Sequence, residues 1–197
     1  MEIFQFIQTA KNTDKIKKFK HQYESQRDDL TQDWKYFNSY KPPKNTQMPQ
    51  SLVKNYIHIV FSTKYRNDFI DEEIEKELYP YIAALCKDFE SYALQIGGTD
   101  NHIHILCRLS RKIALMKLIQ EIKAHSSKWI KTKGKKYENF FWQDGYGAFS
   151  VGEKDIHIVI KYIKNQRQHH QKQDFKNEFV DILEKHKMNY DEKFLWD

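Results

Sequence analysis

Cysteine is nearly missing from this 197-residue chain. It has two, Cys86 and Cys107, without CxxC spacing, which excludes a disulfide framework and points to a reducing compartment. Six glycines and four prolines leave no internal repeat and no low-complexity tract. Mean hydropathy is −0.84. No apolar run approaches the roughly 20 residues of a membrane helix, so no membrane partner is expected. The short apolar patch Ile3 to Ile7 is followed by no cleavage-site pattern, so no secretory signal is read. No GxxxxGK[ST] string occurs, which argues against a nucleotide cofactor. What is present suffices for a folded core: 40% hydrophobic and 15% aromatic residues. The net charge of +6 permits a nucleic-acid partner but is also ordinary solubility for this size.

The length fits one domain with an added arm. From Ile16, apolar residues recur at Phe19, Tyr23, Leu30, Trp34 and Phe37, which is helix spacing. Pro42 and Pro43 then break any helix. Residues 1–47 therefore read as a helical arm and linker, and 48–197 as the domain. A second reading makes Met48 the natural start. The arm holds nine basic and six acidic residues, half of the net charge.

Beyond Met48, alternation predicts strands over 56–63, 92–97 and 102–109, and a strand or irregular ribbon within 140–151. Helical periodicity predicts helices over 71–89, 114–131, 152–171 and 174–186. Ser150 and Glu153 fit a capping box at the start of the third. The predicted class is α+β. Its core order, β-α-β-β-α-β, is ferredoxin-like with an antiparallel sheet. To this are added the third helix, a C-terminal helix and the N-terminal helical arm.

His102-Ile103-His104 is the most informative string. Strand side chains alternate, so both histidines share one face, opposite Ile103, Ile105 and Cys107. Two imidazoles at i and i+2 can reach one metal ion; they can equally sit on a polar face. Cys107 reads as a small buried hydrophobe. On the third helix, Ile156, Val159, Ile160 and Ile163 form an apolar stripe. Tyr162 lies roughly 110° off its centre at about 100° per residue. Gln166 follows four residues later, on the same side. His58 could border the histidine strand as a structural residue, and His169 and His170 receive no role. Lys117, Lys123, Lys128, Lys131, Lys133, Lys135 and Lys136 are interleaved with Trp129 and Tyr137. Such a set can neutralise phosphates and stack on bases, or form a solvated face.

The strings YIHIVFSTKYR (56–66), GGTDNHIHIL (97–106), SSKWI (126–130), FWQDGYGAFSV (141–151) and YIKNQ (162–166) run in the order of a known family. Together they resemble the HUH-type single-tyrosine transposases of small bacterial insertion sequences, including those associated with repetitive extragenic palindromes. The resemblance covers about residues 48–170. It implies that Tyr162 is the nucleophile and that His102 and His104 hold a metal, completed by Gln166. It implies single-stranded DNA with a hairpin as substrate, a 5′-phosphotyrosine intermediate, a homodimer, and the bacterial cytoplasm near the nucleoid. The basic set from Lys117 to Lys136, with Trp129, would contact DNA. Glycines 145, 147 and 152 would let the tyrosine helix swing. Ligand chemistry alone suggests zinc or manganese; the family resemblance points to Mg2+ or Mn2+. Two other readings stay open: a host-recruited or inactive hairpin-binding relative, and a metal-dependent phosphodiester hydrolase without a covalent intermediate.

Overall fold

The computed structural model describes residues 51–170 and 173–196; the expected arm over 1–47 lies outside the described residues. The elements run β1 (Tyr56–Ser62), α1 (Glu72–Asp88), β2 (Tyr92–Thr99), β3 (His102–Arg108), α2 (Leu115–Lys131), β4 (Gly147–Val151), α3 (Ile156–Lys164), α4 (Gln166–His169), α5 (Phe175–Lys185) and α6 (Glu192–Leu195). The four strands form one antiparallel sheet in the order β2-β3-β1-β4, the ferredoxin-like arrangement. No described helix is long and apolar enough to cross a membrane.

Period-two alternation divides the sheet into two faces. On one, Ile57, Ile59, Phe61, Ile103, Ile105 and Cys107 pack against α1 and α2 with Ile74, Leu78, Ile82, Leu118, Ile119 and Ile122. Cys86 and Cys107 are both buried free thiols there. On the other, Val60 and Phe149 pack against Phe175, Phe179, Ile182 and Leu183 of α5. The register sets His104 opposite Val60 and His102 opposite Ser62, so both histidines belong to this second face.

Local signals fix several boundaries. The Asp71 carboxylate accepts the backbone N–H groups of Glu73 and Ile74, and Asp174 accepts that of Asn177, so each caps its helix. The third helix departs from expectation. Ser150 lies within β4, and Glu153 to Asp155 form a 3-10 turn whose N-cap position is Gly152, which has no side chain to cap it; Glu153 pairs with Lys54. The helix also breaks at Asn165 (φ −97°, ψ 14°), which separates α3 from α4. Two glycines permit close packing. A Cβ on Gly97 would stand 2.5 Å from the Ile163 carbonyl oxygen, and one on Gly147 would stand 2.6 Å from the Phe179 ring. Gly147 thus lies in a strand pressed by α5.

Candidate metal and tyrosine centre

Four elements converge on the second face. Strand β3 contributes His102 and His104, both 0% exposed. Helix α3 contributes Tyr162, α4 contributes Gln166, and α5 contributes Glu178. Gln166 and Glu178 are buried as well.

The histidines are held by their Nδ1 atoms. His102 Nδ1 lies 3.0 Å from both Asn101 Oδ1 and Thr99 Oγ1. Asn101 Nδ2 donates to Asp68, which turns its Oδ1 toward His102. His102 Nδ1–H therefore donates, and its Nε2 carries a lone pair. His104 Nδ1 lies 2.9 Å from His58 Nε2, and the two rings stack at 5.1 Å. Burial, then the electrostatic influence of the neighbouring His104 ring, pushes His58 down to about 3. The same two causes hold His102 well below the ordinary histidine range. Both are neutral near pH 7.

The Nε2 atoms face oxygens. His102 Nε2 is 3.3 Å from Gln166 Oε1 and 3.5 Å from Glu178 Oε2. His104 Nε2 is 3.6 Å from Glu178 Oε2, too long for a hydrogen bond, and this buried atom has no hydrogen-bond partner. The other oxygen, Glu178 Oε1, accepts from the Tyr162 hydroxyl and from Gln166 Nε2 at 2.7 Å. His170 Nε2 is 2.8 Å from Glu178 Oε2. Burial opposes ionisation of Glu178. The imidazoles of His104 and His170 outweigh it and hold the carboxyl below its usual range. Burial, followed by the Glu178 charge and hydrogen bond, raises the Tyr162 phenol. The Tyr162 ring stands edge-on to His104 at 5.7 Å and to His58 at 6.1 Å.

One donor atom from each of His102, His104 and Glu178 lies within 4.8 Å of the others. Imidazole nitrogens and oxygens facing one another, with a buried imidazole nitrogen lacking a partner, fit a divalent first-row metal. The donor set suits Mn2+ better than Mg2+, which takes oxygen ligands.

The four residues expected at the centre (His102, His104, Tyr162 and Gln166) are brought together. The lysines are not among them: α2 lies on the other face of the sheet. There Lys117 pairs with Glu121, Lys133 with Glu77, and Lys136 with Asp71. Lys123 departs furthest from the expected open surface. Its ammonium donates to the carbonyls of Gln143, Asp144 and Gly145, and burial lowers it to about 8. Trp129 stacks on Tyr81 at 4.9 Å and packs on the core. Lys128, Lys131 and Lys135 have no carboxylate partner among the described residues. Lys131 sits 3.5 Å over the ring of exposed Phe141.

Sequence reasoning missed Glu178 and His170 and underrated His58. Glu178 did carry a signal. It sits at i+3 of the stripe Phe175, Phe179 and Ile182, where a hydrophobe is expected.

The profile of the IS200-like transposases matches residues 51–166. The chain belongs to that family. Two solved structures resemble it at 16% identity. One is a candidate transposase of Deinococcus radiodurans R1, with TM-score 0.49 over 62% of this chain and 98% of that one. The other is a REP-associated tyrosine transposase bound to a REP hairpin, with TM-score 0.48 over 64% of this chain and 74% of that one. No curated protein sequence matches the chain.

Proposed function

We propose that this transposase-family chain cleaves and rejoins single-stranded DNA at hairpins, with Tyr162 as nucleophile and a divalent metal beside it. The observation that carries the reading is the approach of the Tyr162 ring to His104, whose buried Nε2 lacks a partner. Tyr162 Oη attacks the scissile phosphorus, forming a 5′-phosphotyrosine ester as the bond to the 3′ oxygen breaks. The proton that Tyr162 gives up passes through solvent to the departing oxygen, which becomes a free 3′-OH. A 3′-OH then attacks the phosphotyrosine, reseals the strand and returns the proton to Tyr162. One ester replaces another, so no nucleotide is consumed.

His102 and His104 would hold the metal, with Gln166 beside them. When bound, it would polarise the phosphate and offset developing negative charge. Asn101, Thr99 and His58 fix the two imidazoles, and such outer partners tune a metal site. Glu178, which also accepts from Gln166, holds the phenol in place before substrate arrives. Arg167 anchors the α4 end of this arrangement. It donates to Glu75 at 2.5 and 3.0 Å and to Asp100 at 3.0 Å. Lys128, Lys131 and Lys135, with exposed Phe141 and Tyr146, offer phosphate and base contacts of the kind unpaired DNA uses. A homodimer is part of the reading, and sedimentation of the full chain tests it.

Labelled single-stranded hairpin DNA on a denaturing gel tests the function. The expected result is a protein–DNA adduct that needs Mn2+ or Mg2+ and is absent in Tyr162→Phe. Cleavage without an adduct would support a hydrolase, and binding without cleavage a hairpin-binding relative.

A further inference from the structure

The stretch that matches the family ends at Gln166. Glu178 lies beyond it, yet touches more of the centre than any residue within it. We propose that Glu178 is itself a metal ligand. On this view helix α5 completes the donor set of His102, His104 and Gln166 and ties the Tyr162 phenol to it. The proposal rests on the metal-dependent function above and adds a residue that the family match does not contain.

Four observations lead there. The first is spacing. Glu178 Oε2 is 3.5 Å from His102 Nε2 and 3.6 Å from His104 Nε2. Donors that share a first-row ion at about 2.1 Å lie roughly 3–3.5 Å apart. The observed separations fit a common ion after a small inward shift, whereas the longer one is no hydrogen bond.

The second is an orphan. His104 Nε2 is fully buried, faces the carboxylate and has no hydrogen-bond partner. A buried polar atom without a partner calls for an ion or water. The third is commitment elsewhere. Both Nδ1 atoms are occupied, by His58 and by Thr99 with Asn101. Only the Nε2 atoms are left to point inward, and both point at Glu178. Metal-binding histidines are oriented in this way, through the opposite ring nitrogen.

The fourth is placement within α5. Glu178 is 2% exposed in a stripe made by Phe175, Phe179 and Ile182. A buried carboxylate costs far more than a hydrophobe at such a position unless charge or hydrogen bonds compensate. Its two oxygens divide the work. Oε2 lies 2.8 Å from His170 Nε2 and faces the imidazoles of His102 and His104, and Oε1 accepts from Tyr162 and Gln166. The carboxylate therefore fixes the phenol relative to the histidines. Helix α5 is then part of the centre and more than an appendage.

Mn2+ titration of the full chain, following free Mn2+ by electron paramagnetic resonance, tests this without activity. Wild type is expected to bind Mn2+. His102→Ala should lose it, and Glu178→Gln, similar in size, should bind roughly 100-fold more weakly. Wild-type affinity in Glu178→Gln, with binding lost in His102→Ala, would overturn the role of Glu178 and leave the function standing. Unaltered binding in both variants, or none in wild type, would overturn the metal site itself. Glu178→Gln that keeps its affinity and forms more adduct would make Glu178 a plug over Tyr162 and also overturn the proposal. Hydrogen exchange of wild type needs no variant. Mn2+ should slow the amides of α5 as well as those of β3, and protection confined to β3 would contradict ligation by Glu178.

Discussion

The two faces of the sheet are built from the same strands and do opposite things. Under α1 and α2, Ile57, Ile59, Phe61, Ile103, Ile105 and Cys107 form an apolar layer with no ionisable group facing it from the sheet except the Cys107 thiol. One residue along each strand, His58, His102 and His104 are just as buried, beside Tyr162, Gln166 and Glu178. Burial that stabilises the first face costs free energy on the second, where polar groups must be compensated. Alternation along β1 and β3 thus separates stability from chemistry at single-residue resolution. A substitution's effect should therefore depend on whether its position is odd or even.

The largest effect is expected on the polar face. Tyr162→Phe should abolish the DNA adduct on a denaturing gel while lowering unfolding free energy by about 1.5–3 kcal/mol, the scale of one hydrogen bond to a charged group. Loss of folding would break the division between the faces. On the apolar face, Ile105→Ala should cost about 2–5 kcal/mol in urea unfolding. It should leave Mn2+ affinity of the folded protein unchanged, since Ile105 points away from the histidines.

Acid should affect the polar face selectively. His58 titrates near 3 when folded and near 6.5 when unfolded. The unfolded chain thus binds a proton below pH 6.5 that buried His58 refuses. Stability of the metal-free protein should fall as pH drops from 6.5 toward 5, by up to about 1.4 kcal/mol per pH unit from this group. His58→Gln should flatten that slope in urea titrations at several pH values. The smallest effect is expected outside both faces. Changing Lys128, Lys131 and Lys135 together to Gln should weaken hairpin binding several-fold. It should also reduce the salt slope by about 2, at roughly 0.7 per phosphate on single strands.

Much of this was legible in the sequence. Alternation alone placed His102 and His104 on one face and Ile103, Ile105 and Cys107 on the other, because a strand's period of two has no competing solution. Element order predicted the ferredoxin-like sheet. The helix carrying Tyr162 was less legible. Its break at Asn165 coincides with the Arg167 anchor to Glu75 and Asp100, residues distant in sequence and invisible to periodicity. Glu178 is 74 residues from His104 and comes from a helix whose apolar stripe reads as packing. Only the charge inside that stripe marked it. The lysines were legible in number but not in partner. Their clustering in sequence was plain, but Lys123 turned inward to the 143–145 carbonyls, and three others found carboxylates.

Mass spectrometry of the protease-digested adduct formed on single-stranded hairpin DNA with Mn2+ tests the role of Tyr162 most directly. The expected product is a nucleotide joined through a 5′ phosphate to the peptide containing Tyr162, with fragment ions placing it on that side chain. A nucleotide on another tyrosine, or cleaved DNA with no modified peptide, would contradict it.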